Sequence, residues 1–212
     1  LSQFWPYVFG AKGAIDPAVA ETYSDLMAQS QRLVAEDTLR AVSFKGVTHL
    51  MDIGGGTGAF LEAVGLAFPS LQMTLFDLPQ VTPGATARFD AAGLSGRVSI
   101  ASGSFRDDPL PWGADAISLI RVLYDHSDET VQGLLTAVFD ALPPGGRIII
   151  SEPLGGGRRP DRAGDVYFAL YTMAMQTGRA RSAEEIMSFC RAAGFEALRS
   201  PEPARAYVTR TV

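Results

Sequence analysis

Cysteine is nearly missing from this chain: Cys190 stands alone among 212 residues. That excludes an intramolecular disulfide framework and any multi-cysteine zinc site, and it fits a reducing, cytoplasmic compartment. Histidine is almost as scarce, with only His49 and His126 to offer an imidazole. Basic charge is in deficit, with 18 Lys+Arg against 23 Asp+Glu and a formal net charge of −5. Such a chain has no general attraction to phosphate backbones or anionic lipid, which argues against nucleic acid as its main ligand. Charged residues make up only 19% and hydrophobic residues 47%, too apolar for a disordered chain and enough for a sizeable core. Long apolar runs are missing as well. The densest, from Val166 to Met175, is about half of the roughly 18–20 residues that a membrane span needs. No secretory signal pattern opens the chain. It begins at Leu1 and reads as a piece of something longer.

Two sections follow one another, divided near Lys45-Gly46. Residues 1–45 read as a helical segment: Asp16-Pro17 offers an N-cap followed by proline at the first helical position. Val19, Tyr23, Leu26, Met27, Leu33 and Val34 then recur at helical spacing. An aromatic cluster of Phe4, Trp5, Tyr7, Val8 and Phe9 precedes that helix. From residue 46 to 212, strand and helix alternate. Strands are predicted over 48–53, 71–78, 98–102, 114–123 and 147–151, and helices over 59–68, 86–92 and from Val131 to Leu142. Short continuous apolar strands alternating with helices mean a parallel sheet covered on both faces, an α/β doubly wound fold. After Glu152 the rhythm breaks into a Gly/Arg/Pro loop and an apolar helix over 163–175. Ser182 to Glu185 forms a capping box opening a helix closed at Gly194. Two short strands in the tail, around Pro201 and Pro203, would finish the sheet as an antiparallel pair.

The strongest signal is Asp52-Ile53-Gly54-Gly55-Gly56-Thr57-Gly58, where the first strand enters a helix. Glycines there turn the chain sharply and let a ligand touch backbone, at the crevice where doubly wound sheets bind ligands. Asp77 closes the second strand, where a carboxylate can grip ribose hydroxyls. Gly54, Gly56 and Ala59 also satisfy the dinucleotide fingerprint G-x-G-x-x-G/A, which alone is a weak match. Asp52 at the loop entrance would repel a pyrophosphate and suits a cationic ligand.

Asp52 to Gly58 resembles the D-x-G-G-G-T-G signature of class I S-adenosylmethionine-dependent methyltransferases, and Asp77-Leu78-Pro79 resembles their D-L-P. The resemblance implies that Asp52, Gly54, Gly56 and Gly58 hold the cationic amino-acid end of S-adenosylmethionine, while Asp77 and Leu78 lie at the ribose. Gly103-Ser104-Phe105 looks like the G-D-M/F-F loop at adenine, with Ser104 in place of the acid. Arg121-Val-Leu-Tyr124-Asp125-His126-Ser-Asp-Glu129 resembles the R-x-L-H-D-W-S-D-E stretch of small-molecule O-methyltransferases, in which Arg121 belongs to the cofactor side. Y-D-H-S-D-E, A-G-D-V-Y-F and T-G-R-A-R-S look most like the bacterial carotenoid hydroxyl methylases that act on hydroxyneurosporene or demethylspheroidene. Such proteins carry an N-terminal dimerisation domain, which implies a homodimer in the full-length protein. No metal is implied.

The departures bear on proton chemistry. Aligned by motif, the family's histidine base falls on Tyr124, its tryptophan on His126 and its first supporting acid on Glu152, while the second falls on Ala180. Tyrosine, with a reference pKa of about 10, is a poor base at neutral pH but orients a hydroxyl well. Tyr124 is therefore expected to orient the acceptor, with His126 or Glu152 taking the proton, directly or through water. By resemblance, Tyr167, Tyr171 and Met175 line an apolar acceptor pocket that Met27 closes, a lining suited to a polyene. The expected activity is methyl transfer from S-adenosylmethionine, leaving S-adenosylhomocysteine, to a hydroxyl of an apolar small molecule such as a hydroxylated carotenoid. Peripheral membrane contact would suit that acceptor. A phenolic or tetrapyrrole acceptor, a catalytically silent binding domain and a nicotinamide-dependent oxidoreductase are the alternatives.

Overall fold

The computed structural model describes residues 17–157, 160–201 and 209–212, with helix α1 described as backbone alone up to residue 28. The aromatic cluster at residues 4–9, the Asp16 cap, the Met27 side chain, Arg158, Arg159 and Pro203 lie outside the described residues. In chain order come α1 (Pro17–Ala41), β1 (His49–Ile53), α2 (Ala59–Ala67), β2 (Gln72–Asp77), α3 (Thr82–Ala91), β3 (Val98–Ser102) and β4 (Ala116–Ile120). A turn of 3-10 helix, Leu123–Asp125, leads into α4 (Asp128–Ala141) and β5 (Arg147–Glu152). A π-helix, Arg162–Phe168, continues as α5 (Ala169–Met175), followed by α6 (Ala183–Ala193) and β6 (Arg210–Thr211).

The six strands form one sheet in the order β3-β2-β1-β4-β5-β6. The first five run parallel and β6 pairs antiparallel with β5. Strand side chains alternate between two cores, as the two-residue period of a strand requires. Leu50, Met73, Leu75, Ala116 and Ile149 pack with Val34 and Ala35 of α1, Phe60, Leu61 and Val64 of α2, and Phe89 of α3. Met51, Ile53, Ile117, Leu119 and Ile150 pack with Val131, Leu134, Leu135 and Val138 of α4, and Ile186 and Cys190 of α6. Each fully buried Leu, Ile or Phe contributes about 1.5–3 kcal/mol. The C-terminal half of α1 thus shares a core with the sheet. Chain order reverses between β1 and β4, which opens a crevice at their C-terminal ends.

Three elements differ from expectation. Helix α3 starts at Thr82, four residues before the predicted Thr86, because Pro83 falls in the first turn, where no N–H is needed. The helix expected over 163–175 begins as a π-helix. Asp161 caps it by accepting from Ala163 N at 2.8 Å and Gly164 N at 3.0 Å, and Gly164 lies so close to the Leu154 carbonyl that no side chain would fit. This helix is not buried all round either: Val166, Tyr167, Leu170 and Met173 are exposed, while Phe168, Thr172 and Met175 point inward. In the tail, β6 is the one strand among the described residues. His49, on the first strand, is half-buried and shares a 2.8 Å hydrogen bond between its Nε2 and Thr74 Oγ1.

Candidate active site

The glycine loop leaves β1 across the crevice. Gly54 N donates to Phe76 O at 2.8 Å, fastening the loop to β2. Gly58 is the N-cap of α2 with φ 81, in the left-handed region, and the Phe89 ring occupies the space a Cβ would need. Gly55 passes directly over Asp52, where a side chain would strike the Asp52 Oδ2 atom. Both positions require glycine for close approach.

Asp52 is fully buried on β1. Its Oδ1 accepts from Ser118 Oγ at 2.6 Å, and its buried Oδ2 has no hydrogen-bond partner among the described residues. Burial pushes this carboxyl up to about 7, with the Ser118 bond pulling down and the Asp77 charge adding to the rise. A cation placed at Oδ2 would supply the missing partner and restore the charged form. Asp77, at the end of β2, accepts from Gly56 N at 2.7 Å on Oδ2 and from Leu78 N at 2.6 Å on Oδ1. Burial raises its pKa as well. Each oxygen keeps a lone pair for a further donor, such as a sugar hydroxyl.

Beyond β3, Ser104 is buried and its hydroxyl donates to Asp107 Oδ2 at 3.0 Å, while its N–H donates to Asp108 Oδ2 at 2.8 Å. Phe105 meets the His126 ring edge-on, with centroids 5.2 Å apart. Arg121, with φ 61, takes a conformation unfavourable to a side-chain-bearing residue. Its guanidinium turns toward α1, donating to Ser30 Oγ at 2.6 Å.

The turn after β4 is held from two sides. Glu152, buried at the end of β5, accepts from Val122 N at 2.7 Å and Leu123 N at 2.8 Å on Oε1, and from Tyr124 N at 3.2 Å on Oε2. Burial nevertheless pushes Glu152 up to about 7. From the other side, buried Arg181 donates to Leu123 O and His126 O, both at 2.8 Å, and to Asp128 Oδ1 at 2.6 Å. The turn presents Tyr124 to the π-helix and α5, its ring 5.0 Å from Phe168 and 5.8 Å from Tyr171.

A family model for the O-methyltransferase domain matches residues 1–196. The chain belongs to that O-methyltransferase family. Over all 212 residues it is 58% identical to demethylspheroidene O-methyltransferase of Cereibacter sphaeroides, covering 56% of that protein. It is 54% identical over the same span to the enzyme of that name from Rhodobacter capsulatus, covering 52% of it. The chain thus spans about half the length of these curated relatives. Among solved structures, a mitomycin 7-O-methyltransferase superposes with TM-score 0.86 at 28% identity over 98% of this chain and 59% of that one. An O-methyltransferase from neocarzinostatin biosynthesis, in complex with S-adenosyl-L-homocysteine and 1,4-dihydroxy-2-naphthoic acid, superposes with TM-score 0.82 at 28% identity. It covers 92% of this chain and 58% of its own. Membership of this family sets aside the dinucleotide reading of the glycine loop.

In an O-methyltransferase, the residues expected to move a proton are unevenly suited. His126 Nδ1 shares a 2.8 Å hydrogen bond with Arg106 Nη2, and burial together with the Arg106 and Arg181 charges pushes its pKa down to about 3. It is held neutral against Phe105 and away from base strength. Glu152 is engaged by three backbone N–H groups. On the acceptor side, Tyr171 stands beside Tyr124, Tyr167 is 63% exposed and touches Phe168 rather than Tyr124, and Met175 is fully buried. A groove of about 470 Å³ between α5 and residues 177–180 is lined by Asp165, Thr172, Met173 and Arg179, and by none of those three. Asp125, Arg106 and Arg181 were not singled out from sequence. Asp125 sits inside the Arg121–Glu129 stretch, but the segment packed against its backbone, around Gly178, comes from far along the chain.

Proposed function

We propose that this chain is the S-adenosylmethionine-binding, catalytic part of an O-methyltransferase acting on a hydroxylated carotenoid of the demethylspheroidene type. The observation that carries the cofactor reading is Asp52, a buried carboxylate with one unpartnered oxygen beneath a glycine loop. That site asks for a cation. S-adenosylmethionine carries an ammonium, a sulfonium, a ribose diol and an adenine, with no phosphate for Asp52 and Asp77 to repel. Asp52 with Gly54, Gly56 and Gly58 would take its amino-acid end, and Asp77 and Leu78 its ribose. Ser104 and Phe105 would face the adenine, with His126 beside Phe105 as part of that wall. Arg121 would act by tying α1 to the site. Bound there, the cofactor supplies a methyl group already activated on sulfur. The protein must then align an acceptor oxygen with it, and alignment alone can supply roughly 7–11 kcal/mol.

Tyr124 would orient the acceptor hydroxyl, with Glu152 fixing the turn beneath it. Tyr171, Tyr167, Met175 and Met27 would shape an apolar path for a polyene. The carotenoid reading is supported by the two relatives above, whose names state demethylspheroidene. A homodimer of the full-length protein and peripheral contact with a pigment-bearing membrane follow the same resemblance; no helix among the described residues is long and apolar enough to cross a membrane.

Thermal unfolding with S-adenosylmethionine, S-adenosylhomocysteine and NAD in separate samples tests the cofactor. A ligand at 100 times its Kd adds about 2.7 kcal/mol. Stabilisation by the two adenosyl ligands and one added methyl on demethylspheroidene, read by mass spectrometry, are expected. Stabilisation by NAD alone would remove the cofactor reading, and an unmodified pigment the acceptor reading.

A further inference from the structure

The family's two-carboxylate, one-histidine proton machinery is dismantled here. Tyrosine stands in the histidine's place and alanine in that of the second acid, while His126 is pinned by Arg106 and Glu152 by the backbone. One ionisable group in the turn has no such duty. Asp125 is 7% exposed, and its Oδ1 is buried with no hydrogen-bond partner among the described residues. The Tyr124 and Tyr171 side chains both act on its carboxyl, drawing its pKa down, as does the Arg121 charge from the end of β4. The Glu152 carboxylate faces it from β5. The rings of Tyr124 and Tyr171 lie 5.8 Å apart, with Phe168 completing an apolar wall.

We propose that Asp125 and Tyr124 form a proton relay, in which Tyr124 contacts the acceptor hydroxyl and Asp125 is the positioning residue behind it that receives the proton. This rests on the methyl-transfer reading. Tyr124 Oη takes the acceptor's hydroxyl proton as it passes its own to the Asp125 carboxylate. The acceptor oxygen gains the methyl carbon, and the electron pair of the broken carbon–sulfur bond stays on sulfur. One methyl and one proton have moved, and no further reactant is needed. The relay answers the chemical objection to a tyrosine base. A phenol with a reference pKa of about 10 need never carry a full charge if a carboxylate accepts from it in the same step. Burial pushes Asp125 up to about 7, opposed by Tyr124, Arg121 and Tyr171, which matches a proton acceptor to neutral pH.

The test has one arm independent of turnover. In the cofactor-free protein, the ultraviolet titration of wild type minus that of Tyr124→Phe isolates Tyr124 among the six tyrosines. A carboxylate that accepts from the phenol, and repels its anion, holds that titration high. Asp125→Asn is therefore expected to lower it by about one pH unit or more. The second arm measures demethylspheroidene methylation against pH. Asp125→Asn should lose roughly 100-fold in kcat, lose the acid limb near neutral pH and keep stabilisation by S-adenosylhomocysteine. Combined with Tyr124→Phe it should do no further harm, since the two act as one unit. An unmoved tyrosine titration, or wild-type turnover in Asp125→Asn, overturns the relay. A wild-type protein that titrates as expected yet methylates nothing overturns the methyl-transfer reading, and the relay's role with it.

Discussion

Three carboxyls around the crevice, those of Asp52, Asp125 and Glu152, are each buried and each pushed up to about 7. An unfolded aspartate titrates near 3.9. Between about pH 4 and pH 7 the folded, ligand-free protein therefore holds protons that the unfolded chain has released. Folding stability falls as pH rises through that window, although His126, held neutral in the fold, opposes the trend by one proton up to about pH 6.5. A cation bound against Asp52 reverses the preference, because it pairs with the ionised form. S-adenosylmethionine affinity, measured by calorimetry, is accordingly expected to tighten as pH rises to about 7 and to level off above, by up to tenfold per unit. Asp52→Asn should bind weakly and lose this slope; an affinity flat across the range in wild type would separate Asp52 from the cation. Asp52 could be picked out from sequence because it lies in a contiguous motif beside glycines. Asp125 could not, because Tyr171, which acts on its carboxyl, and Gly178, which lies against its backbone, arrive from another part of the chain.

At the scale of elements, the strand–loop–helix unit around Gly58 carries the cofactor reading. Gly58 caps α2 in the left-handed region with the Phe89 ring of α3 behind it. Gly58→Ala adds a Cβ where both backbone and packing refuse one. We expect a loss of about 1–3 kcal/mol in urea unfolding together with weakened stabilisation by S-adenosylhomocysteine, because the same displacement moves the loop. An unchanged midpoint would mean that Phe89 yields freely. Helices with strong local signals came through from sequence intact: the Ser182–Glu185 capping box opens α6 and Gly194 closes it in the left-handed conformation. The π-helix did not. Its wider turn follows from Gly164 lying against the Leu154 carbonyl, a contact between segments that periodicity cannot register.

For the whole molecule, the sheet divides the interior into two cores that answer to different jobs. The core beneath α4 and α6 touches the glycine loop at Val122, beside Gly54, while the loop's contacts with Phe89 and Leu75 belong to the opposite core. Leu135 is fully buried there. Leu135→Ala should cost about 2–5 kcal/mol of stability while leaving S-adenosylmethionine affinity, measured well below the unfolding midpoint, within twofold. A large affinity loss would show that this core is coupled to the site. Sequence alone determined the doubly wound sheet, the glycine loop with Asp52 and Asp77, and the family, since each is written in contiguous residues whose periodicity or spacing is local. Tertiary structure decided the surroundings of the ionisable groups. Whether His126, Glu152 or Asp125 can accept a proton depends on who desolvates each and who donates to it, and those partners, Arg106, the 122–124 backbone and Tyr171, come from separate elements that only the folded chain brings together.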